Sequence, residues 1–247
     1  MRWYLSTIDP QAGELARANG LGVEIAEFCT AWNMDDGFPE ADALVARQIR
    51  GIPRRVLHGP FNELFPCAID PLARELAARR YRQALGLAKR YGAEKVVFHG
   101  GYHPKMYYPV WYVAESVKFW RGFLREIPEG ITLCLENVLE ETPDMLSDIA
   151  AQVDDPRLRL CLDVGHVNAY SRIPALTWLR EFGPYLSHLH IHNNDGSADT
   201  HSGPEAGTLP MDALLAQIGG LSEDMTMTLE LPQAEEGVRW LKEKGVL

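Results

Sequence analysis

Eight short apolar runs rich in β-branched residues recur along the whole chain, at 3–8, 22–28, 55–58, 95–99, 132–136, 159–163, 187–192 and 226–231. Amphipathic Ala/Leu/Arg-rich stretches separate them. The clearest of these is predicted as a helix over 71–91, opened by Pro71 after Asp70 and closed by Gly92. Strand-like runs alternating with helical ones call for a parallel sheet with helical crossovers. Eight such units in 247 residues match a (β/α)8 barrel, which uses about 250. No Ser/Gly linker, low-complexity tract or charge block divides the chain, so the reading is one TIM-barrel domain over 1–247. A doubly wound open sheet is the structural alternative.

Almost every run from the third onward ends in a side chain able to bind a metal or carry a proton. His58 closes Val-Leu-His, His99 closes Val-Val-Phe-His and Glu136 closes Leu-Cys-Leu-Glu. Asp163 and His166 share Leu-Asp-Val-Gly-His, His190 and His192 lie in His-Leu-His-Ile-His, and Glu230 closes Met-Thr-Leu-Glu. In a closed barrel the carboxyl ends of the strands surround one mouth, where active sites of this fold are built. Period-two alternation puts Cys134 with Glu136, Cys161 with Asp163, and His188 with His190 and His192 on common faces, so the charged ends are expected above smaller or apolar lumen residues. Singly, each residue has a structural explanation: a strand-end histidine is commonly a hydrogen-bonded rim group, and a strand-end carboxylate commonly caps the next helix. Together, three buried carboxylates among histidines require shared protons or a cation, and a divalent metal meets that need best. Three same-face histidines span roughly 13 Å of strand and cannot all reach one ion. His190 is therefore taken as the ligand, His192 as a substrate or outer contact and His188 as structural. The facing of Glu24 and Glu27 is left open.

In order and local context these residues resemble the superfamily that joins xylose isomerase-like sugar isomerases and epimerases to the type IV apurinic endonucleases. The carriers are His-Gly-Pro-Phe at His58, Val-Phe-His-Gly-Gly at His99, Cys-Leu-Glu-Asn at Glu136, Leu-Asp-Val-Gly-His at Asp163, His-Ile-His-Asn-Asn at His190, Asp-Thr-His at Asp199 and His201, Glu-Ala-Gly at Glu205 and Leu-Glu-Leu at Glu230. The epimerase branch implies one divalent metal, Mn, Mg, Co or Zn, held by Glu136, Asp163, His190 and Glu230. Glu136 and Glu230 would then act as the catalytic pair, one removing a proton and the other returning it. The endonuclease branch implies three zinc ions, with His58, His99, His166, Asp199 and His201 as additional ligands. In the sugar-acting reading those extra residues serve substrate hydroxyls. A polyol or inosose dehydratase and a non-catalytic sugar-binding barrel are further alternatives.

The mouth loops separate these readings. The fourth runs Gly-Tyr-His-Pro-Lys-Met-Tyr-Tyr-Pro-Val-Trp over 101–111, and the second Cys-Thr-Ala-Trp-Asn-Met-Asp-Asp-Gly over 29–37. They are aromatic, and nearly uncharged or acidic, whereas gripping a nucleic-acid backbone calls for Lys and Arg. Trp32, Tyr102, Tyr107 and Trp111 suit either packing on a sugar ring or simply covering the barrel mouth. Lys105 and Arg172 are the basic loop residues available to a phosphate. His192 and Glu205 complete the expected substrate contacts, although Pro204 precedes Glu205 where relatives often carry Gly. A formal charge of −10 also argues against nucleic acid as the main partner. The expected partner is a small sugar or sugar phosphate. Cys29, Cys67, Cys134 and Cys161 form no CxxC pair and read as reduced thiols. The N-terminus lacks a signal-peptide pattern and no apolar run reaches about 18 residues, so the expected location is the cytoplasm. Barrels of this kind often pair, but no segment marks an interface.

Overall fold

The computed structural model describes residues 1–222 and 224–247. Eight parallel strands close into a barrel in chain order: β1 (Arg2–Ser6), β2 (Gly22–Ile25), β3 (Arg55–His58), β4 (Lys95–His99), β5 (Thr132–Glu136), β6 (Leu158–Asp163), β7 (Leu186–Ile191) and β8 (Thr226–Leu229). β8 pairs with β1, Arg2 opposite Thr226 and Leu5 opposite Leu229, which closes the ring. The open-sheet alternative is thereby removed. The outer helices are α1 (Ala12–Asn19), α2 (Phe38–Gln48), α3 (Pro71–Tyr91), α4 (Pro109–Phe123), α5 (Asp144–Val153), α6 (Val164–Tyr170), α7 (Ala175–Phe182), α8 (Met211–Ile218) and α9 (Ala234–Glu243).

Alternation along the strands sorts the side chains into two cores. Trp3, Leu5, Val23, Ile25, Leu57, Val96, Phe98, Leu133, Leu135, Leu160, Leu162, Leu189, Ile191, Met227 and Leu229 face the helices and join the main apolar cluster. The residues between them face the lumen, where Tyr4, Val56, Val97, Cys134 and Cys161 make a separate small cluster. Each of these outward-facing positions is fully or almost fully buried, so truncating one of the larger side chains costs about 2–5 kcal/mol.

Local signals set several boundaries. The Asp70 carboxylate accepts from Leu72 N at 2.8 Å and Pro71 opens α3. Gly92, at φ 65°, ends the helix with its N–H directed to the Ala88 and Lys89 carbonyls. β3, β4 and β5 coincide with the expected runs. Four ends differ. β1 stops at Ser6, β7 at Ile191 and β8 at Leu229 because the chain leaves the ladder there to build the mouth loops. β2 stops at Ile25, its last partner on β3 being Leu57, and Glu27–Cys29 becomes a 3-10 turn. On β6 the register shifts between Leu160 and Cys161, and from there Cys161 pairs with His188 and Asp163 with His190. That shift brings Asp163 level with His190 on the lumen face. All four cysteines are free thiols. Among the described residues no helix is long and apolar enough to cross a membrane.

Candidate metal centre

Three carboxylates converge on one nitrogen. His190 Nδ1 lies 3.0 Å from Glu136 Oε1, 3.3 Å from Glu230 Oε2 and 3.7 Å from Asp163 Oδ2. Ligand atoms about 2.1 Å from a tetrahedral metal stand roughly 3.4 Å apart, so this spacing can accommodate a metal as well as the hydrogen bond now made to Glu136. Glu136 and Asp163 end β5 and β6, His190 sits near the end of β7, and Glu230 directly follows β8, its N–H donating to the Ile191 carbonyl at 3.2 Å.

Two further groups flank the centre. His58, His99 and Glu136 offer ligand atoms within 4.8 Å of one another, as do His166, Asp199 and His201. Glu136 Oε2 faces His58 Nε2 at 3.3 Å and His99 Nε2 at 3.5 Å without satisfying hydrogen-bond geometry to either, and it is a buried oxygen with no hydrogen-bond partner. Asp199 Oδ1 and His192 Nδ1 are unpartnered in the same way. Buried polar atoms are normally satisfied, and this orphaned set of hard oxygens and imidazole nitrogens fits a divalent cation. Of the eight histidines, His103 alone stands apart from the cluster, accepting from Lys105 N in the exposed fourth loop.

The outer nitrogens of the rings are tied down. His58 Nδ1 donates to the Gly59 carbonyl at 2.9 Å, His166 Nδ1 to the Asn137 carbonyl at 2.8 Å and His201 Nδ1 to the Glu230 carbonyl at 2.9 Å. Each leaves Nε2 toward the carboxylates, as metal-binding histidines are generally oriented. His190 is held the other way round: its Nε2 lies 3.0 Å from Glu24 Oε1, leaving Nδ1 for the centre. His192 Nε2 meets the Asp163 carboxylate at 3.0 Å and its ring stacks on His201 at 3.9 Å, while His188 lies deeper in the lumen against Glu24 and Thr226.

Charges in the cluster are set by mutual compensation. Burial alone would raise the Glu136 carboxyl, but the imidazoles of His190 and His99 outweigh it and hold it well below the usual carboxylate range. Asp163 behaves likewise, burial being overcome by His166 and His192. Burial would lower His166 and His201, but Asp163 and Asp199 lift His166 to about 10, and Asp199 leads in lifting His201 to about 9. Burial wins at His99, which falls to about 3, and at His188, which falls to about 4.

Several residues go beyond the reading from sequence. Glu24 is fully buried in the lumen, and the expectation that only small or apolar groups lie beneath the charged ends is corrected by it together with His188, Thr226, Thr228 and Lys95. The signal was present, since Val23 and Ile25 are apolar on either side and one face of β2 had to carry Glu24 inward. Asn137 clamps the end of β6 from both sides, its Oδ1 accepting from Asp163 N at 2.9 Å and its Nδ2 donating to Asp163 O at 3.0 Å. Asn193 Oδ1 accepts from Asn194 N and Leu209 N, folding the long β7–α8 loop back over the mouth side.

The expected substrate contacts scatter more widely. Trp32 is 64% exposed, whereas Tyr102 is buried with its ring 5.0 Å from Tyr112, and Tyr107 packs near Phe65. Trp111 donates its indole N–H to the Cys67 carbonyl. Lys105 and Arg172 are exposed. Glu205 is exposed too and lines an outer groove with Met211, Trp240 and Lys244, making no contact with the histidine–carboxylate cluster. The Pro204 ahead of it is buried, its carbonyl accepting from Asn193 Nδ2 at 2.7 Å, which anchors the turn away from the centre.

A closed ring of eight parallel strands with histidines and carboxylates gathered at its carboxyl ends defines a TIM barrel. The chain belongs to the family described as xylose isomerase-like TIM barrel, which it matches over residues 15–244. It is 29% identical over 197 residues to the uncharacterized protein MJ1311 of Methanocaldococcus jannaschii, covering 74% of this chain and 66% of that one. Fructoselysine 3-epimerase of Escherichia coli O157:H7 is 31% identical over 105 residues, 42% of this chain and 38% of that one. The aligned parts thus span less than two thirds of these relatives' own lengths. Among solved structures, the TTHB071 protein from Thermus thermophilus, soaked with zinc chloride, superposes with a TM-score of 0.74 at 27% identity, over 98% of this chain and 97% of that one. A D-tagatose 3-epimerase-like protein superposes with the same TM-score, 0.74, at 23% identity over 100% and 98% of the two chains, a likeness of fold.

Proposed function

We propose that this protein is a metal-dependent isomerase or epimerase of a small sugar or sugar phosphate. The observation that carries the reading is the approach of Glu136 and Glu230 to the same nitrogen, His190 Nδ1, from β5 and from the end of β8. Glu136, Asp163, His190 and Glu230 would hold the metal, which when bound polarises a substrate carbonyl and acidifies the neighbouring C–H. Glu136 and Glu230 come from strands three places apart in the ring, and so flank a substrate seated between them. One carboxylate takes the carbon-bound proton and the other delivers a proton to the opposite face or the adjacent carbon. The rings of His58, His99, His166, His192 and His201 border this space and suit contacts to substrate hydroxyls. Similarity to a fructoselysine 3-epimerase supports sugar chemistry.

The test is exchange of a carbon-bound proton with deuterated water, across a panel of ketoses and aldoses, with Mn, Co, Mg or Zn supplied. Metal-dependent deuterium incorporation is expected, and a panel without exchange overturns the reading.

A second reading, a three-metal phosphodiesterase acting on abasic DNA, draws support from the His58–His99–Glu136 and His166–Asp199–His201 groups. Its loops argue the other way, with only Lys105 and Arg172 offered to phosphate and a chain charge of −10. Elemental analysis together with an abasic-duplex assay separates the two. One metal without nicking removes the phosphodiesterase, while three zinc equivalents with nicking replace the isomerase.

A further inference from the structure

Below the candidate centre the lumen holds an unbroken polar column. At its foot Lys95, 6% exposed, donates from Nζ to the Ser187 carbonyl at 2.6 Å and to Thr226 Oγ1 at 2.8 Å. Thr226 Oγ1 is 2.6 Å from His188 Nδ1, and His188 Nε2 is 2.9 Å from Glu24 Oε2. Glu24 Oε1 is 3.0 Å from His190 Nε2, and Thr228 Oγ1 donates to Glu24 Oε2. His190 Nδ1 then faces Glu136 at 3.0 Å.

The direction of these bonds follows from the chemistry of the ends. An ammonium can only donate and a carboxylate can only accept. The Thr226 hydroxyl lies 3.1 Å from Ser187 O and 2.6 Å from His188 Nδ1; with Lys95 already donating to Ser187 O, it is assigned to the nearer His188 nitrogen. A neutral His188 then carries its proton on Nε2 and donates to Glu24. The other oxygen of Glu24 receives the Nε2 proton of His190, so Nδ1 is the nitrogen that faces the carboxylates: it donates to Glu136 in the metal-free protein and would offer its lone pair once a metal displaced that proton. Each link of the column sets a donor against an acceptor, Glu24 Oε2 accepting from both His188 and Thr228, and the charges of Lys95 and Glu24 offset one another inside the barrel. The other histidines with a tethered outer nitrogen, His58, His166 and His201, use a backbone carbonyl; His190 is the one tied to a carboxylate. A carboxylate both fixes the ring and makes it a stronger donor.

We propose that Glu24 is the positioning residue of the metal centre, and that the Lys95–Thr226–His188–Glu24 column locks His190 to present Nδ1 to the metal. The inference rests on the reading of His190 as a ligand.

Zinc affinity of the full chain, measured by chelator competition, tests it, alongside long-range ¹⁵N–¹H spectra of the imidazoles. Glu24→Gln keeps the volume but offers one acceptor and one donor to two imidazole N–H groups, so zinc affinity is expected to fall about 10- to 100-fold. Thr226→Val leaves Glu24 in place and frees His188 from its orientation. It is expected to raise the Nδ1–H form of His188 and weaken zinc binding several-fold. Ser116→Ala, a change at a buried hydroxyl outside the column, should leave zinc affinity unaltered. In the zinc-loaded protein His190 should be bound through Nδ1 with its Nε2 proton retained. Glu24→Gln within twofold of the unaltered protein, or zinc on His190 Nε2, overturns the proposal. If Glu24→Gln fails to fold, Thr226→Val decides: unchanged affinity and an unchanged His188 form overturn it. If the unaltered protein takes up no zinc, the reading of the metal centre fails instead. The column is then judged by His188, whose Nε2–H form supports it and whose Nδ1–H form overturns it.

Discussion

Glu136 and His190 meet at 3.0 Å, Oε1 to Nδ1, in a lumen where neither is exposed to solvent. A buried carboxylate without a partner costs several kcal/mol, so the pair is held by mutual need, and Glu230 at 3.3 Å from the same nitrogen adds a second negative charge. The arrangement has consequences for activity, for stability and for metal binding.

Glu230→Gln removes a proton carrier while keeping the side chain's shape. Deuterium exchange at the substrate carbon is expected to fall about 10²- to 10⁴-fold. Zinc should still bind, more weakly, by chelator competition. Exchange at the unaltered rate would exclude Glu230 as acid or base.

The metal-free protein should be most stable near pH 6.5. His166 at about 10 and His201 at about 9 are raised above the unfolded value, so their contribution is complete below about 6.5 and is lost as pH rises through 9 to 10. His188 at about 4 and His99 at about 3 are depressed, so stability falls as pH drops from about 6.5 toward those values. The depressed carboxyls of Glu24, Glu136 and Asp163 add to the loss below about pH 4, as their folded forms are forced to take protons. Thermal melts across pH 4–10 in the presence of chelator check this, and a maximum at pH 9 would contradict it.

Metal should bind more tightly as pH rises from 6 to 8, because a cation must displace the proton that His190 holds in its absence and is repelled by the charged His166 and His201 rings beside it. Proton release on adding zinc, measured in weakly buffered solution, gives the number displaced. No release would mean that His190 is not a ligand.

Asp163 serves local and distant partners together. Its Oδ1 accepts from His166 N at 2.7 Å, capping α6, and its carboxylate holds His192 at 3.0 Å. Asp163→Ala is expected to cost about 1 kcal/mol through the cap alone. It should also abolish most of the rise in melting temperature that added metal produces. A full metal-induced rise in the variant would remove Asp163 from the ligand set.

A Cβ at Gly165 would overlap the His192 imidazole. Gly165→Ala therefore forces His192 away from Asp163 and from its stack on His201, with an expected loss of about 1–3 kcal/mol. Denaturant unfolding measures the cost, and an unchanged midpoint would show that His192 has room to move.

What could be read from the chain alone is what neighbours in sequence decide. Strand and helix alternation, the bounds of β3, β4 and β5, and the Asp70, Pro71 and Gly92 signals of α3 depend on period, caps and backbone freedom over a few residues. The ligand types at the strand ends were equally visible, because each ends its own apolar run. Other features required closure of the ring. β2 ends at Ile25 because its ladder with β3 ends there, and Asp163 stands level with His190 because the register shifts between β6 and β7. Glu24 reaches His190 across 166 positions of chain, and Glu205, although in a motif of the right type, is carried to an outer groove by a turn anchored through Asn193. Local sequence sets which groups a strand offers, whereas the distance between groups on different strands is a property of the closed barrel, where pairing register and tilt are settled by all eight strands at once.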